Sequence, residues 1–328
     1  MSHPRVLIVS PAVAQDNNGN WRTAARWQRF LSAVAQVRIA PSWDGGPCDA
    51  MIALHARRSS EPIARLAASR PGTPIALVLT GTDVYRDIEV DASARHSLEC
   101  ASQLVVLQPD ALSRLGPAHR GKARVIVQSA TARRPRPPGR SIDLVAVGHL
   151  REEKDPRALM DAARRLPADT RVRIVHLGHA LDPALGEEAR ATMAACPHYL
   201  WIGGLSHESS RRWIARASAL VHMSRMEGGA QAIIEAVRSG VPVLASRIGG
   251  NTGLLGEDYA GYFEVGDGLA LANAMERFAT DPGFANLLAA QCALREPAFR
   301  PEEERRLVRQ LLADLVAHND ARQSAACT

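Results

Sequence analysis

Ala219–Asn251 reads ALVHMSRMEGGAQAIIEAVRSGVPVLASRIGGN, and the fold follows from its punctuation. Ala219 to His222 is a short apolar run of strand length, and Gly228-Gly229 stands directly ahead of a helix-forming run, Ala230 to Arg238. A second strand is expected over Val241 to Ala245, leading into another glycine pair, Gly249-Gly250. This is the order of parallel strands joined by a crossover helix. Both glycine loops should therefore lie at the same sheet edge.

Glycine at such a loop lets a ligand approach main-chain N–H groups, and a helix start turns its positive end toward an anion, so a phosphate fits. Glu227 lies at the loop and Glu235 inside the helix. A carboxylate beside a phosphate site is costly unless it accepts hydrogen bonds, which makes sugar or ribose hydroxyls natural partners. The alternative is that Glu227 favours the helix dipole and Glu235 is a solvated helix residue.

Glu-x7-Glu with glycines after the first Glu, a Gly-Val-Pro-Val strand and a Gly-Gly turn together resemble the donor-site signature of GT-B glycosyltransferases of the large family four. The resemblance implies that Glu235 holds a nucleotide ribose and Glu227 contacts the donor sugar. It also implies an α/β fold with two Rossmann-like doubly wound domains facing a central cleft.

Length and composition agree. A chain of 328 residues suits two domains, and 46% hydrophobic content without an apolar run near membrane length reads as soluble and globular. Val6 to Ala14 imitates a secretion signal, but Pro11 interrupts it and its positive region is only His3 and Arg5; a buried first strand is the expectation. The cysteines, Cys48, Cys100, Cys196, Cys292 and Cys327, show neither C-x-x-C nor zinc spacing, which suits a reducing cytoplasm. The net charge is +6, yet the basic residues are dispersed and aromatics are only 4%, so nucleic acid is not the expected partner. Almost all the basicity is arginine: Lys122 and Lys154 are the only lysines.

Taken in order, the chain offers a strand over Arg5 to Ser10 and a loop through Asn17 to Asn20. A helix follows with Trp27, Phe30, Leu31 and Val34 on a core face and Arg22, Arg26 and Arg29 on a solvated basic face. Strands are expected at Val37–Ala40, Asp49–Leu54, Ile75–Leu79, Gln103–Leu107 and Arg124–Val127, alternating with helices as in a doubly wound domain. Ligand crevices lie beyond the carboxyl ends of such strands. The loops His55-Ala56-Arg57-Arg58-Ser59 and Thr80-Gly81-Thr82-Asp83-Val84-Tyr85-Arg86 should thus share one site, or else are ordinary polar loops.

Ala130 to Ser141, ATARRPRPPGRS, cannot pack a core and reads as the interdomain linker. Beyond it come a strand at Ile142–Val147 and the loop Gly148-His149-Leu150-Arg151-Glu152-Glu153-Lys154-Asp155. That loop resembles family four's Gly-Arg-Leu-x-x-x-Lys, in which Arg and Lys neutralise the donor diphosphate. Lys154 takes the Lys position and His149 the Arg position; Arg151 either swings in or pairs with Glu152 or Glu153. Strands at Arg171–Leu177 and Tyr199–Ile202 close on Gly178 and on Gly203-Gly204, and the resemblance sets Gly203 and Gly204 beside the nucleotide base. Pro301 to His318 reads as a last helix with Glu302, Glu303 and Glu304 in its opening turn.

The expected domains are 1–135, acceptor-binding and joined by the C-terminal helix 302–328, and 136–301, donor-binding. No Asp-x-Asp, P-loop or complete dinucleotide fingerprint occurs. A metal-independent reaction without cofactor, using a UDP-sugar as co-substrate, is the expectation: Lys154, Arg151 and the helix start after Gly229 meet the leaving diphosphate and Glu227 orients the sugar.

The acceptor side offers His55, Arg57, Arg58 and Arg86, with Thr82 and Asp83 between them, and the resemblance adds Gly19 and Asn20. A strongly nucleophilic anion needs such a cationic pocket and no base. The segments LHARRS and LTGTDVYRDI resemble the selenosugar synthases of selenoneine biosynthesis, which join selenophosphate to the sugar of a UDP-sugar such as UDP-N-acetylglucosamine. On that resemblance His55, Arg57 and Arg58 grip selenophosphate. The competing expectations are an ordinary UDP- or GDP-sugar glycosyltransferase with a carbohydrate or lipid acceptor, and an inactive nucleotide-sugar binding protein.

Overall fold

The computed structural model describes residues 3–12, 19–135 and 141–326, with side chains through residue 317. The loop expected at Asn17-Asn18 and part of the expected linker lie outside the described residues. The chain divides into two compact units, residues 1–128 with 301–328, and residues 129–300.

The first unit begins with β1 (Arg5–Val9), α1 (Gly19–Leu31), β2 (Gln36–Ala40), β3 (Ala50–Leu54), α2 (Ser60–Ser69) and β4 (Ile75–Leu79). A single π-helical turn, Asp83–Asp87, runs into the short α3 (Ile88–Val90); α4 (Ala92–Cys100), β5 (Gln103–Val106), α5 (Pro117–Arg120) and β6 (Ala123–Val125) follow. All six strands are parallel, in the order β2-β1-β3-β4-β5-β6. Period-two alternation divides each strand between two cores. Leu7 and Val9 pack on one face with Ile63, Leu66 and Leu98, whereas Val6 and Ile8 pack on the other with Trp27 and Leu31. That is why the strands read as continuous apolar runs.

The second unit holds β7 (Ile142–Val147), α6 (Pro156–Arg165), β8 (Val172–Leu177), α7 (Pro183–Ala195), β9 (Tyr199–Trp201), α8 (His207–Arg216) and β10 (Ala219–His222). It continues through α9 (Gln231–Arg238), β11 (Val243–Ser246), α10 (Gly249–Leu255), β12 (Tyr262–Phe263), α11 (Gly268–Thr280) and α12 (Pro282–Arg295). Its sheet is again all parallel, ordered β12-β11-β10-β7-β8-β9. The chain ends in α13 (Pro301–Ala326), which packs on the first unit through Val308, Leu311, Leu312 and Leu315. The chain thus carries two Rossmann-like doubly wound sheets, each flanked by helices.

Three expectations are corrected. The α1 basic face is not uniformly solvated: the Arg26 Nε donates to Glu304 Oε2 at 2.8 Å, and Trp27 Nε1 donates to Oε1 of the same carboxylate at 2.7 Å. Glu304 is therefore a fully enclosed anchor between α1 and α13, and its neighbours Glu302 and Glu303 keep the exposed first-turn positions. Val34 lies past the end of α1 and is exposed, because the helix stops at Leu31. Finally, the first residues of the expected linker belong to the second unit. Ala130 N–H donates to Phe299 O, Arg238 Nε to Ala130 O, and Arg133 pairs with Glu208.

Among the described residues no helix is long and apolar enough to cross a membrane. The four described cysteines, Cys48, Cys100, Cys196 and Cys292, carry free thiols.

Candidate active site

In the second unit the strand order reverses between β10 and β7, which run side by side although far apart in sequence. Their carboxyl-end loops therefore meet at the point where open α/β sheets take ligands. The loop after β7 carries Lys154 and the loop after β10 carries Glu227, and the two side chains form an ion pair.

Glu227 Oε1 also accepts from Ser224 Oγ at 2.7 Å and lies 3.4 Å from His222 Nε2. Burial alone would raise the Glu227 pKa; the Lys154 ammonium and then the His222 ring outweigh it and hold the carboxyl well below its usual range. Behind this cluster Ser246 Oγ donates to Ser224 O at 2.6 Å, and Asn251 Nδ2 donates to Ser246 O at 2.9 Å. The ends of β10 and β11 and the first turn of α10 are thus tied together beneath Glu227. Arg225 N–H donates to Glu153 O and Arg225 Nη2 to Asp155 Oδ1, fastening the two loops to each other.

The glycines serve close approach. A Cβ at Gly250 would overlap the Glu227 carbonyl oxygen, so only glycine lets α10 start against that loop. Gly148 packs on the methylenes of Lys154, Gly228 is buried, and Gly229 precedes α9, whose first turn has no side-chain cap. Gly249 is the first residue of α10 rather than part of a free turn.

Glu235 projects from α9 and is nearly enclosed, with Oε1 at 2.6 Å from His207 Nε2 on α8. At the ends of β7, β8 and β9, His149 and His179 stack with ring centroids 5.6 Å apart, and His179 N–H donates to His149 Nδ1 at 3.1 Å. The His179 ring lies against Gly204, where a Cβ would overlap it, and Gly203 takes a left-handed φ of 73°. Arg151 is not gathered with Lys154: its Nε lies 3.9 Å from Glu153 Oε2.

In the first unit, β3 and β4 are neighbours and bring the two expected loops together. His55 directly follows β3 with φ 74°, in the left-handed region that few non-glycine residues adopt, though histidine does so more readily than most, and that collects at functional sites. Its Nδ1 accepts from Arg58 N–H at 3.4 Å, which leaves the proton on Nε2 to donate to Thr82 Oγ1 at 3.1 Å. Burial lowers the His55 pKa, outweighing the nearby Asp83, so the ring is neutral at pH 7.

Asp83 does not face solvent. Its carboxylate is fully enclosed and accepts from the N–H groups of Ala56, Thr80 and Gly81 at 2.7 to 3.1 Å, which makes it the clasp between the two loops. Arg57 and Arg86 are half-exposed, and both reach Asp87. Arg58 is exposed, with no ion pair from its guanidinium among the described residues. Gly19 and Asn20 form the first residues of α1, and the residues just before them lie outside the described ones.

Lys154 and Glu227 thus meet in the second unit, and His55, Arg57, Thr82, Asp83 and Arg86 lie together in the first, whereas Arg151, Gly19 and Asn20 are not drawn into either group. The sequence reading passed over His222, Ser224, His207, His179 and Asp87. For Asp87 a signal existed, since it closes the LTGTDVYRDI segment one helical turn after Asp83. The histidines gave none, because each is defined by a partner from a different element.

The family model described as "Glycosyl transferases group 1" matches residues 128–293, just over half of the chain. Among solved structures, the UDP-glucose complex of HepE from Anabaena is 14% identical, with a TM-score of 0.74 and coverage of 95% of this chain and 100% of that one. A sucrose-phosphate synthase from Thermosynechococcus elongatus is 17% identical, with a TM-score of 0.75 and coverage of 96% and 100%. A glycosyltransferase from Rickettsia africae is 13% identical, with a TM-score of 0.71 and coverage of 96% and 99%. Fold and site define a GT-B glycosyltransferase. The chain belongs to the glycosyl transferases group 1 family.

Proposed function

We propose that the protein transfers a sugar, N-acetylglucosamine or glucose, from a UDP-sugar to selenophosphate. Selenium attacks the anomeric carbon, a C–Se bond forms as the C–O bond to the diphosphate breaks, and UDP leaves with the electron pair. A UDP-sugar donor is supported by the similarity to HepE, which was solved with UDP and with UDP-glucose. On this reading Lys154 and the uncapped start of α9 after Gly228 and Gly229 meet the leaving diphosphate without a metal, and Arg151 joins them on rotating away from Glu153. Glu227 orients the sugar, Glu235 holds the ribose, and Gly148, His149, Gly203, Gly204, Gly249 and Gly250 shape the donor surface.

The observation that carries the acceptor is the charge of the β3 and β4 loops. Residues 55–59 and 80–87 present Arg57, Arg58 and Arg86 to solvent, while their two carboxylates, Asp83 and Asp87, are enclosed. An anionic nucleophile suits such a surface, and a solvent-facing carboxylate base is lacking in these loops. The second reading is an alcohol acceptor of carbohydrate or lipid type; it needs a base, and the His55 ring would have to release its Nδ1 from Arg58 N–H to act as one.

Purified protein incubated with UDP-sugars and selenophosphate, with mass-spectrometric search for a selenosugar, tests the proposal. Selenosugar formation coupled to UDP release is expected. UDP release with an alcohol acceptor and none with selenophosphate would establish the second reading instead.

A further inference from the structure

Glu235 lies in the middle of α9, and its side chain is only 6% exposed. A carboxylate so enclosed is costly unless donors reach it. Its Oε1 lies 2.6 Å from His207 Nε2; an ionised carboxylate only accepts, so the proton sits on Nε2 and the imidazole donates. The next donor, Gln231 Nε2, is 3.5 Å from the same oxygen and gives its shorter bond, at 3.1 Å, to Ser129 O. Among the described residues none donates to Oε2.

His207 is the first residue of α8, placed there by the Ser206 cap, whose Oγ accepts from Ser209 N–H at 3.2 Å. It follows Gly204 by three residues, so the loop that carries Gly203 and Gly204 ends on the imidazole that reaches α9. The imidazole is thus the link between the surface assigned above to the donor nucleotide and the carboxylate assigned to its ribose. With Oε1 pinned and Oε2 lacking a protein donor, Glu235 is set to accept from a further hydroxyl.

We propose that His207 is a positioning residue for the nucleotide ribose: by holding Oε1 it turns Oε2 of Glu235 toward the ribose hydroxyls. The inference rests on Glu235 holding the ribose, as proposed above, and adds what aims it. Were the pair only a tie between α8 and α9, losing His207 would lower stability and weaken every uridine nucleotide alike. If it aims the carboxylate, the loss falls on nucleotides that carry ribose hydroxyls.

The test measures binding of UDP, and of the UDP analogue lacking both ribose hydroxyls, to the full-length protein by calorimetry. Wild type is expected to prefer UDP by about tenfold or more, as for a hydroxyl bonded to a charged group, and Glu235→Ala to lose most of that preference. His207→Phe should weaken UDP about tenfold and leave the analogue within about twofold, bringing the ratio near one. Should His207→Phe not fold, His207→Asn, whose shorter amide falls short of Glu235, takes its place. Equal weakening of both nucleotides overturns the role. A preference lost in Glu235→Ala but undiminished in His207→Phe removes His207 alone. Wild type that does not distinguish the two nucleotides removes the ribose reading of Glu235 itself.

Discussion

Lys154 and Glu227, 73 residues apart in the chain, form an ion pair at the switch point of the second sheet. Each side chain is more than three-quarters enclosed, so the pair is shielded from solvent screening. A diphosphate arriving there competes with Glu227 for the ammonium, and the displaced carboxylate becomes available to hydroxyls. Lys154→Met should therefore lower turnover by about 10²–10³-fold, the usual loss when one charge-stabilising donor is removed. Stopped assays of UDP release check it, and turnover within a factor of about three of wild type would remove Lys154 from the reaction.

Glu304 accepts hydrogen bonds from Arg26 and Trp27 of α1. Glu304→Ala strands a guanidinium that is only 12% exposed and an enclosed indole N–H. Breaking one partner of a buried pair costs about 3 kcal/mol, which denaturant unfolding of the variant should show. A loss below about 1 kcal/mol would mean that water replaces the carboxylate.

Gly250→Ala places a methyl against the Glu227 carbonyl, which is backbone and cannot rotate away. The start of α10 must then retreat from the β10 loop. The expected outcome is a raised KM for the donor together with a lower melting temperature. Gly72→Ala, with open space around its Cβ, is the matched control and should change neither.

His176 in β8 is wholly enclosed, with Nδ1 at 2.9 Å from the Tyr199 hydroxyl, and burial lowers its pKa from 6.5 to about 4. Between those two values the unfolded chain binds a proton that the native chain refuses, so stability falls as pH drops through that window and is fully present above about pH 6.5. From pH 7 to pH 5 the loss from this residue is about 2 kcal/mol. His176→Gln should be less stable than wild type at pH 7 but lose correspondingly less on acidification. Parallel pH dependences for the two proteins would count against this account.

The β10-loop-α9 unit was legible because strand length, a glycine pair and a helical run fall in sequence and obey local rules. The same rules misread Gly249-Gly250 as a turn. Two glycines normally break a helix, but here close approach to Glu227 demands glycine and the following Asn251 and Thr252 carry the helix on. The two-residue β12 is too short to leave a pattern, and the π-helical turn at Asp83–Asp87 opens on Asp83, whose carboxylate is held by amides of two loops that spacing along the chain does not reveal. Partnerships such as Arg26 with Glu304 or His207 with Glu235 join separate helices, and spacing along a chain carries no record of them.

Asp83 has a practical meaning for anyone wishing to move this chemistry elsewhere. Grafting the arginine-bearing segments into a foreign scaffold would deliver the cations without the hidden rivet that keeps both segments in register, and the transplant would bind little. The aspartate with its three amide donors has to travel as one cassette.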